Sequence, residues 1–284
     1  MSMPWQDRAG RFSALKAATL AALLLPGLVI AQDYARGLLG ARPITEMIHA
    51  SGLWAIRLLL ISLAITPARQ ILRLPRLILL RRMIGVATFC YAALHLTLDA
   101  ADKMFDLDLV FSEIIHRVYL AIGAGALLLL LALAATSTDG MVARLGGKRW
   151  QALQRSVYLI ALLATVHFFL QSKIDVSEPT MMAGFLLWLM GYRALSWRGG
   201  TARATGRISL LLLGLGAALA TALGEAAYFG LFTGIPARLV LAADLSLAAG
   251  PRPAWLVLAA GLAVTALGAL GDAWQKPLPG ALRS

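Results

Sequence analysis

Long apolar runs alternate with short polar segments along most of this chain of 284 residues. A helix that crosses a bilayer needs roughly 17–25 mostly apolar residues. Eight runs approach or reach that length, at about residues 13–31, 52–69, 83–99, 118–136, 152–171, 180–195, 208–230 and 254–272. None shows the alternation of apolar and polar positions that strands of a membrane barrel require. The pattern therefore predicts an all-α, polytopic membrane helix bundle.

The composition argues against a soluble domain. Hydrophobic residues make up 60% of the chain and charged residues 14%, against about 45–50% and about 25% in soluble domains. The formal net charge of +12 is typical of nucleic-acid-binding proteins. Here, however, the basic residues cluster between apolar runs, as in cytoplasmic loops. We therefore expect lipid and not nucleic acid as a partner. The single cysteine, Cys90, excludes internal disulfides and thiolate zinc sites.

The positions of Lys and Arg predict the orientation of the spans. If the N-terminus is cytoplasmic, most of the 26 basic residues fall in inner segments and most of the 14 acidic residues fall in outer ones. Inner basic residues then include Lys276 and Arg283 near the C-terminus. An even number of spans places both termini in the cytoplasm. A cleaved signal peptide ending near Ala31 is an alternative interpretation of the first run and would leave the other spans unchanged.

Two histidines lie near the outer ends of separate predicted spans. His95 is in the third span and His167 is in the fifth, and both spans run from inside to outside. Ionisable groups within a membrane are costly, so each is a functional hypothesis. A histidine pair at one depth can hold a haem iron from both faces. From spacing alone, an interhelical hydrogen-bonded pair or a proton relay remains the alternative.

Other polar residues lie on the same outer half. Arg57 is in the second span beside Trp54, where it either extends to the lipid headgroups or pairs with a haem propionate. We expect His49 and His116 to be solvated or interfacial. The acidic segment from Asp99 to Glu113 is either a solvated loop or a docking surface for a partner.

At the inner ends of the same two helices lie Arg81 and Gln154. They precede His95 and His167 by 14 and 13 residues respectively, about 20 Å along a helix. Fourteen residues return close to the same helical face, whereas 13 leave ideal faces about 140° apart. Aligning Gln154 with His167 would therefore require a kink or a π-bulge in the fifth span.

An ordered set of short runs extends through residues 15–198. The runs are Gly52-Leu-Trp54-Ala-Ile-Arg57, Ile65-Thr66-Pro67, Arg81-Arg82-Met-Ile-Gly85, Tyr91-Ala-Ala-Leu-His95, Thr136-Ser137-Thr138-Asp-Gly-Met141, Trp150-Gln151 and Val157-Tyr158-Leu159, ending in His167. Their order and spacing resemble the MsrQ family, the haem-binding membrane subunits of bacterial periplasmic methionine sulfoxide reductase systems. The wider group is the ferric-reductase-like transmembrane domain.

The resemblance implies an electron carrier of the bacterial inner membrane and not the sulfoxide-reducing catalyst, so we expect no catalytic residue. Its expected cofactors are haem b and flavin mononucleotide (FMN). Electrons would pass from the quinone pool or a cytosolic flavin reductase to MsrP, a periplasmic molybdenum enzyme that reduces methionine sulfoxide in proteins. His95 and His167 match the family's haem-ligand positions, and Arg81 matches an important arginine at the inner end of the same helix.

One departure from the family pattern concerns the number of haems. The family usually has histidine in the run Trp-x-x-Leu-His, where this chain has Gln154. A glutamine amide is a poor axial ligand beside imidazole, so we expect about one haem per chain. The same departure motivates one alternative function, a haemless transporter or assembly factor on this scaffold. A second alternative function is that of another cytochrome-b-type ferric or quinol reductase.

The remaining predictions concern the inner face and the domains. Basic residues at the inner ends are candidates to hold a flavin phosphate or attract a reductase, although topology alone also demands basic inner loops; they are Arg81, Arg82, Arg144 and Arg149. We expect a six-helix ferric-reductase-like core over residues 1–198. A C-terminal extension with about two transmembrane helices would occupy residues 199–284.

Overall fold

A computed structural model describes Met3, residues 5–6, 9–172, 175–246 and 250–274, with backbone alone for 272–274. The predicted inner residues Lys276 and Arg283 lie outside the described residues. Twelve α-helices are described: α1 Ala14–Ala35, α2 Pro43–Ile71, α3 Arg81–Asp102, α4 Leu107–His116, α5 Val118–Ala135, α6 Asp139–Leu145, α7 Gly147–Gln154, α8 Val157–Gln171, α9 Ser177–Ala204, α10 Arg207–Phe232, α11 Ala237–Leu245 and α12 Pro253–Trp274. The described residues form no β-strand, which confirms the all-α prediction.

Seven of the eight predicted spans lie in helices that are long and apolar enough to cross a membrane. Helices α7 and α8 together supply one of them, Gly147–Gln171. The predicted sixth span, 180–195, lies in α9, which is long enough but is not among these seven. The chain is a multi-pass, helical membrane protein, and the eighth span stays a prediction.

The fifth predicted span is interrupted at Arg155 and Ser156, between α7 and α8. Backbone N–H groups there bond to the carbonyl three residues earlier, including that of Ser156 to Leu153 at 3.0 Å and that of Tyr158 to Arg155 at 3.1 Å. Such bonds tighten the turn relative to an α-helix. The interruption lies between Gln154 and His167, where their 13-residue spacing had required one for alignment.

The chain forms two compact units. The first contains Met1–Leu63 and Leu79–Lys173, and the second contains Ala64–Ile78 and Ile174–Ser284. Helix α9 therefore packs with α10 and α12 in the second unit. The predicted boundary after residue 198 concerned the extent of the family resemblance and stays a prediction.

In the second unit, α10 and α12 approach each other through glycines. A Cβ atom built on Gly261 would lie 2.8 Å from the Cα of Gly214, which is too close for any real contact. Small residues allow membrane helices to pack backbone to backbone, where dispersion replaces the hydrophobic effect. On α9, Gly200 has φ +74, so the helix is broken there by a residue in the left-handed region.

We predict that Gly261→Ala separates α10 from α12 and destabilises the protein by about 1–3 kcal/mol, as overpacking does. Gly216→Ala on α10 is the matched control, because a Cβ there meets nothing within 4 Å. Thermal unfolding of the purified chain in detergent measures both. Equal unfolding temperatures for the two variants would contradict the close-packing interpretation.

Candidate functional site

The structure brings His95 and His167 together within the first unit. His95 extends from α3 and His167 from α8, and both side chains are half-buried. Their ring centroids are 6.3 Å apart, and the ring planes are nearly perpendicular, at 85°. The two imidazole rings, which we expected at similar depth, thus lie next to each other.

Each imidazole is held by a hydrogen bond to the backbone of another helix, α2 for His95 and α5 for His167. Nδ1 of His95 lies 2.8 Å from the carbonyl oxygen of Ile48 on α2. Nδ1 of His167 lies 2.7 Å from the carbonyl oxygen of Tyr119 on α5. A carbonyl oxygen only accepts, so Nδ1 carries the proton in both rings, and in the neutral ring Nε2 keeps its lone pair. Both rings therefore hold the tautomer in which Nε2 can bind a metal.

A glycine lies beneath each ring, one helical turn after the accepting carbonyl. Gly52 follows Ile48 by four residues, and Gly123 follows Tyr119 by four. A Cβ on Gly52 would lie 2.9 Å from Nδ1 of His95, and one on Gly123 would lie 2.8 Å from Nδ1 of His167. Any larger residue would displace the ring from its carbonyl. Helices α2 and α5 thus each provide a carbonyl that accepts from a histidine and a glycine four residues later that leaves space for the ring.

The paired rings fit a haem iron. Metal–imidazole bonds are about 2 Å long and a ring nitrogen lies about 1 Å from its ring centre, so two imidazoles on opposite sides of one metal have centroids about 6 Å apart. Among the described residues no group of three or more His, Cys, Asp or Glu side chains could hold a metal ion. A metal bound here would therefore need its other ligands from a cofactor, as haem iron receives them from its macrocycle.

Arg57 lies on α2 with its guanidinium carbon 5.3 Å from the centroid of the Trp54 ring. This distance is in the range of a cation–π interaction, which is stronger where water is partly excluded. The side chain is half-buried. The contact with Trp54 is an addition to the two positions expected for Arg57, and its pairing with a propionate stays a prediction.

The acidic segment after the third span is largely helical, because it contains α4. The carboxylate of Asp106 accepts a hydrogen bond from the N–H of Leu109 and caps that helix. Asp102, Asp106 and Asp108 are exposed. His116, at the end of α4, and His49, on α2, are also exposed, in agreement with their predicted solvated positions.

The other two acids of this segment are held in partly buried ion pairs. Lys103 Nζ lies 2.5 Å from Asp99 and 3.3 Å from Glu113, and Arg117 lies 2.7 Å from Glu113. Burial lowers the pKa of Lys103, but the hydrogen bonds and charges of Asp99 and Glu113 outweigh it and leave that pKa above its usual value. Arg117 also donates to the hydroxyl of Tyr119, whose carbonyl holds His167. The network therefore connects the end of α3 to the helix that positions one histidine.

The predicted inner residues take separate positions. Arg82 forms a solvent-exposed ion pair with Asp139 at 2.7 Å, which links α3 to α6. Arg144 and Arg149 are exposed on α6 and α7, and Arg81 begins α3. Their role in binding a flavin stays a prediction.

Gln154 ends α7 with its side chain directed at α5. Its Nε2 lies 3.4 Å from the carbonyl oxygen of Leu133, and nearby Trp150 donates to the carbonyl of Thr136 at 3.0 Å. The amide of Gln154 thus helps to hold α7 against α5. This contact gives Gln154 a packing role that needs no metal.

The chain was compared with known proteins. Residues 51–165 match the family model described as "Ferric reductase like transmembrane component". The chain is 43% identical over 189 residues to the "Protein-methionine-sulfoxide reductase heme-binding subunit MsrQ" of Rhodospirillum rubrum, covering 66% of this chain and 88% of the relative. The protein of that name from Xanthomonas campestris pv. campestris is 44% identical over 199 residues, 68% of this chain and 88% of the relative. That from Azospira oryzae is 38% identical over 199 residues, 68% and 84% of the two chains. No solved structure matches the chain.

We predict that Gly52→Ala and Gly123→Ala each displace a histidine from its carbonyl and weaken the binding of the expected haem. Loss of a hydrogen bond behind a metal-ligating imidazole typically costs about 10–100-fold in affinity. Titration of the apoprotein with haem measures this effect, and a redox titration measures the accompanying shift in midpoint potential. Gly85→Ala on α3 and Gly125→Ala on α5 are controls, because a Cβ at either position meets nothing within 4 Å. Wild-type affinity and potential in both test variants would exclude a positioning role for these glycines.

Proposed function

Because the chain belongs to the MsrQ family of haem-binding subunits of protein-methionine-sulfoxide reductase, within the ferric-reductase-like group, we propose that it transfers electrons across the bacterial inner membrane. Its redox centre is one haem b with His95 and His167 as axial ligands. It delivers electrons to a periplasmic MsrP-type molybdenum enzyme that repairs methionine sulfoxide in proteins. Both termini lie in the cytoplasm.

The observation that carries this proposal is the paired arrangement of the two imidazoles. Their 6.3 Å separation suits one iron between them, and the carbonyls of Ile48 and Tyr119 leave both Nε2 atoms available. A bound haem supplies one-electron redox chemistry. His95 and His167 would hold the haem through two imidazoles, and such a pair would favour electron transfer over oxygen chemistry.

A single haem is favoured by the environment of Gln154. A carboxamide is a weak ligand for haem iron beside imidazole, and this one is directed at the backbone of α5. The interruption of the helix after Gln154 also separates this position from the continuous helix that carries His167.

The direction of transfer follows from the distribution of charge. Basic residues cluster on the proposed cytoplasmic side, where a quinone or a cytosolic flavin reductase donates electrons. Asp102 and Asp108 are exposed and belong to the predicted outer segment, where the acceptor would dock. FMN at Arg81, Arg82, Arg144 and Arg149 is retained as a prediction from the family resemblance.

We predict about one low-spin haem b per chain in a dithionite-reduced minus oxidised spectrum of the purified protein. His95→Ala and His167→Ala each remove one of the two axial ligands and should abolish stable haem incorporation. His116→Ala should retain haem, because that histidine is exposed on α4 and bonds to the carbonyl of Ser112. Full haem retention in both ligand variants would exclude this pair, and absence of haem from the wild-type protein would favour the haemless transporter or assembly factor.

The acceptor is tested with the reduced protein in proteoliposomes. We expect an MsrP-type enzyme with methionine sulfoxide to reoxidise the haem faster than ferric citrate does. The second candidate, a ferric reductase, is motivated by the description of the matched family model. It predicts the opposite order of rates. Reoxidation by MsrP only in the presence of methionine sulfoxide distinguishes turnover from simple electron leakage.

A further inference from the structure

Two buried carboxylates share one arginine in the second unit. Glu225 on α10 accepts a hydrogen bond from the terminal guanidinium nitrogen of Arg252 at 2.5 Å. Asp244 on α11 accepts one from Nε of the same guanidinium at 2.6 Å. The side chains of Glu225 and Asp244 are only 1% and 7% exposed, whereas that of Arg252 is 29% exposed. One cation therefore faces two carboxylates that are almost completely removed from solvent.

The surrounding charges do not correct this imbalance. Asp175, which precedes α9, interacts electrostatically with Arg252 and with Glu225 and adds a third carboxylate. Its own oxygen accepts from the N–H of Ser177. Trp255 on α12 donates to the backbone carbonyl of Asp244, so it does not neutralise the side chain. Among the described residues, three acids thus interact with a single guanidinium.

One oxygen of each buried carboxylate lacks a partner. Oε2 of Glu225 and Oδ2 of Asp244 have no hydrogen bond among the described residues. A buried polar atom without a partner destabilises the folded state, and an uncompensated buried charge destabilises it more. Within a membrane span such a group is retained because it has a use or because it is neutralised.

One proton lowers both costs. It balances the charge of the two buried carboxylates and Arg252, and it converts one of the two orphan acceptors into an O–H donor. A metal ion is disfavoured because the guanidinium of Arg252 already occupies the space between the carboxylates. The described residues also form no group of three metal-ligating acids or histidines.

We propose that Glu225 is a proton-binding site that holds a neutral carboxylic acid at neutral pH, with Asp244 and Arg252 as its charged partners. Glu225 is the proton carrier because it is the more deeply buried of the two acids and lies within a membrane-spanning helix. The site lies in the predicted C-terminal extension and does not depend on haem binding by the first unit.

Hydrophobic carbodiimide is the probe, because it reacts with protonated carboxyl groups in apolar surroundings. The full chain in detergent is treated with dicyclohexylcarbodiimide, and the modified residues are identified by mass spectrometry. We expect modification at Glu225, decreasing as the pH is raised, and none at exposed Asp102 or Asp108. Asp244→Asn should reduce the modification, because removing the second charge leaves Glu225 balanced by Arg252 and therefore ionised.

Infrared difference spectra between neutral and high pH, a range in which exposed carboxyl groups stay ionised, provide a measurement that needs no reagent access. The wild-type protein should show the C=O band of a protonated acid, and Glu225→Gln should lose it while Asp102→Asn keeps it. If Glu225→Gln does not fold, loss of the band in Asp244→Asn together with the wild-type modification site still tests the proposal. Absence of the band in the wild-type protein would overturn it. Protection of Glu225 by sodium at constant pH would overturn it in favour of a cation site.

Discussion

Backbone hydrogen bonding within lipid is the constraint on which the rest of this structure depends. No water is available in the bilayer core, so each backbone group must be satisfied inside its own helix. A helical carbonyl that accepts the N–H of the residue four positions later can still accept a hydrogen bond from a side chain. Ile48 and Tyr119 use it to hold the two histidines. The backbone of α2 and α5 thus forms the membrane-spanning helices and also orients the two histidines.

Glycine makes that second use possible. An imidazole reaches the carbonyl of a helix only where the side chain one turn further on is absent, because otherwise a Cβ occupies the space of the ring. Gly52 and Gly123 provide the gap on two different helices. The consequence is chemical as well as steric. The Nδ1 hydrogen bond fixes the tautomer and raises the basicity of the opposite nitrogen, which is the atom that we propose binds iron.

The sequence predicted those features that depend on runs or spacings of residues along the chain. Seven apolar runs became helices able to span a membrane. The 13-residue spacing before His167 required a distortion only if Gln154 and His167 share a face, and the helix is interrupted at Arg155 and Ser156. The acceptors of the histidine hydrogen bonds left no such signal, because every residue has a backbone carbonyl. Helix α4 was missed because ten residues are too few for a span, although Asp106 at its N-cap was a usable sign.

Burial affects the His95–His167 pair and the Glu225–Asp244 pair differently. At the histidine pair, each Nδ1 is hydrogen-bonded and each neutral Nε2 keeps a lone pair that can bind a metal. At Glu225 and Asp244, the contacts satisfy one oxygen of each acid and leave charge in excess. A low-dielectric environment strengthens a complete network and penalises an incomplete one. The contacts at the first site thus favour the proposed binding of a cofactor, whereas those at the second favour the proposed uptake of a proton.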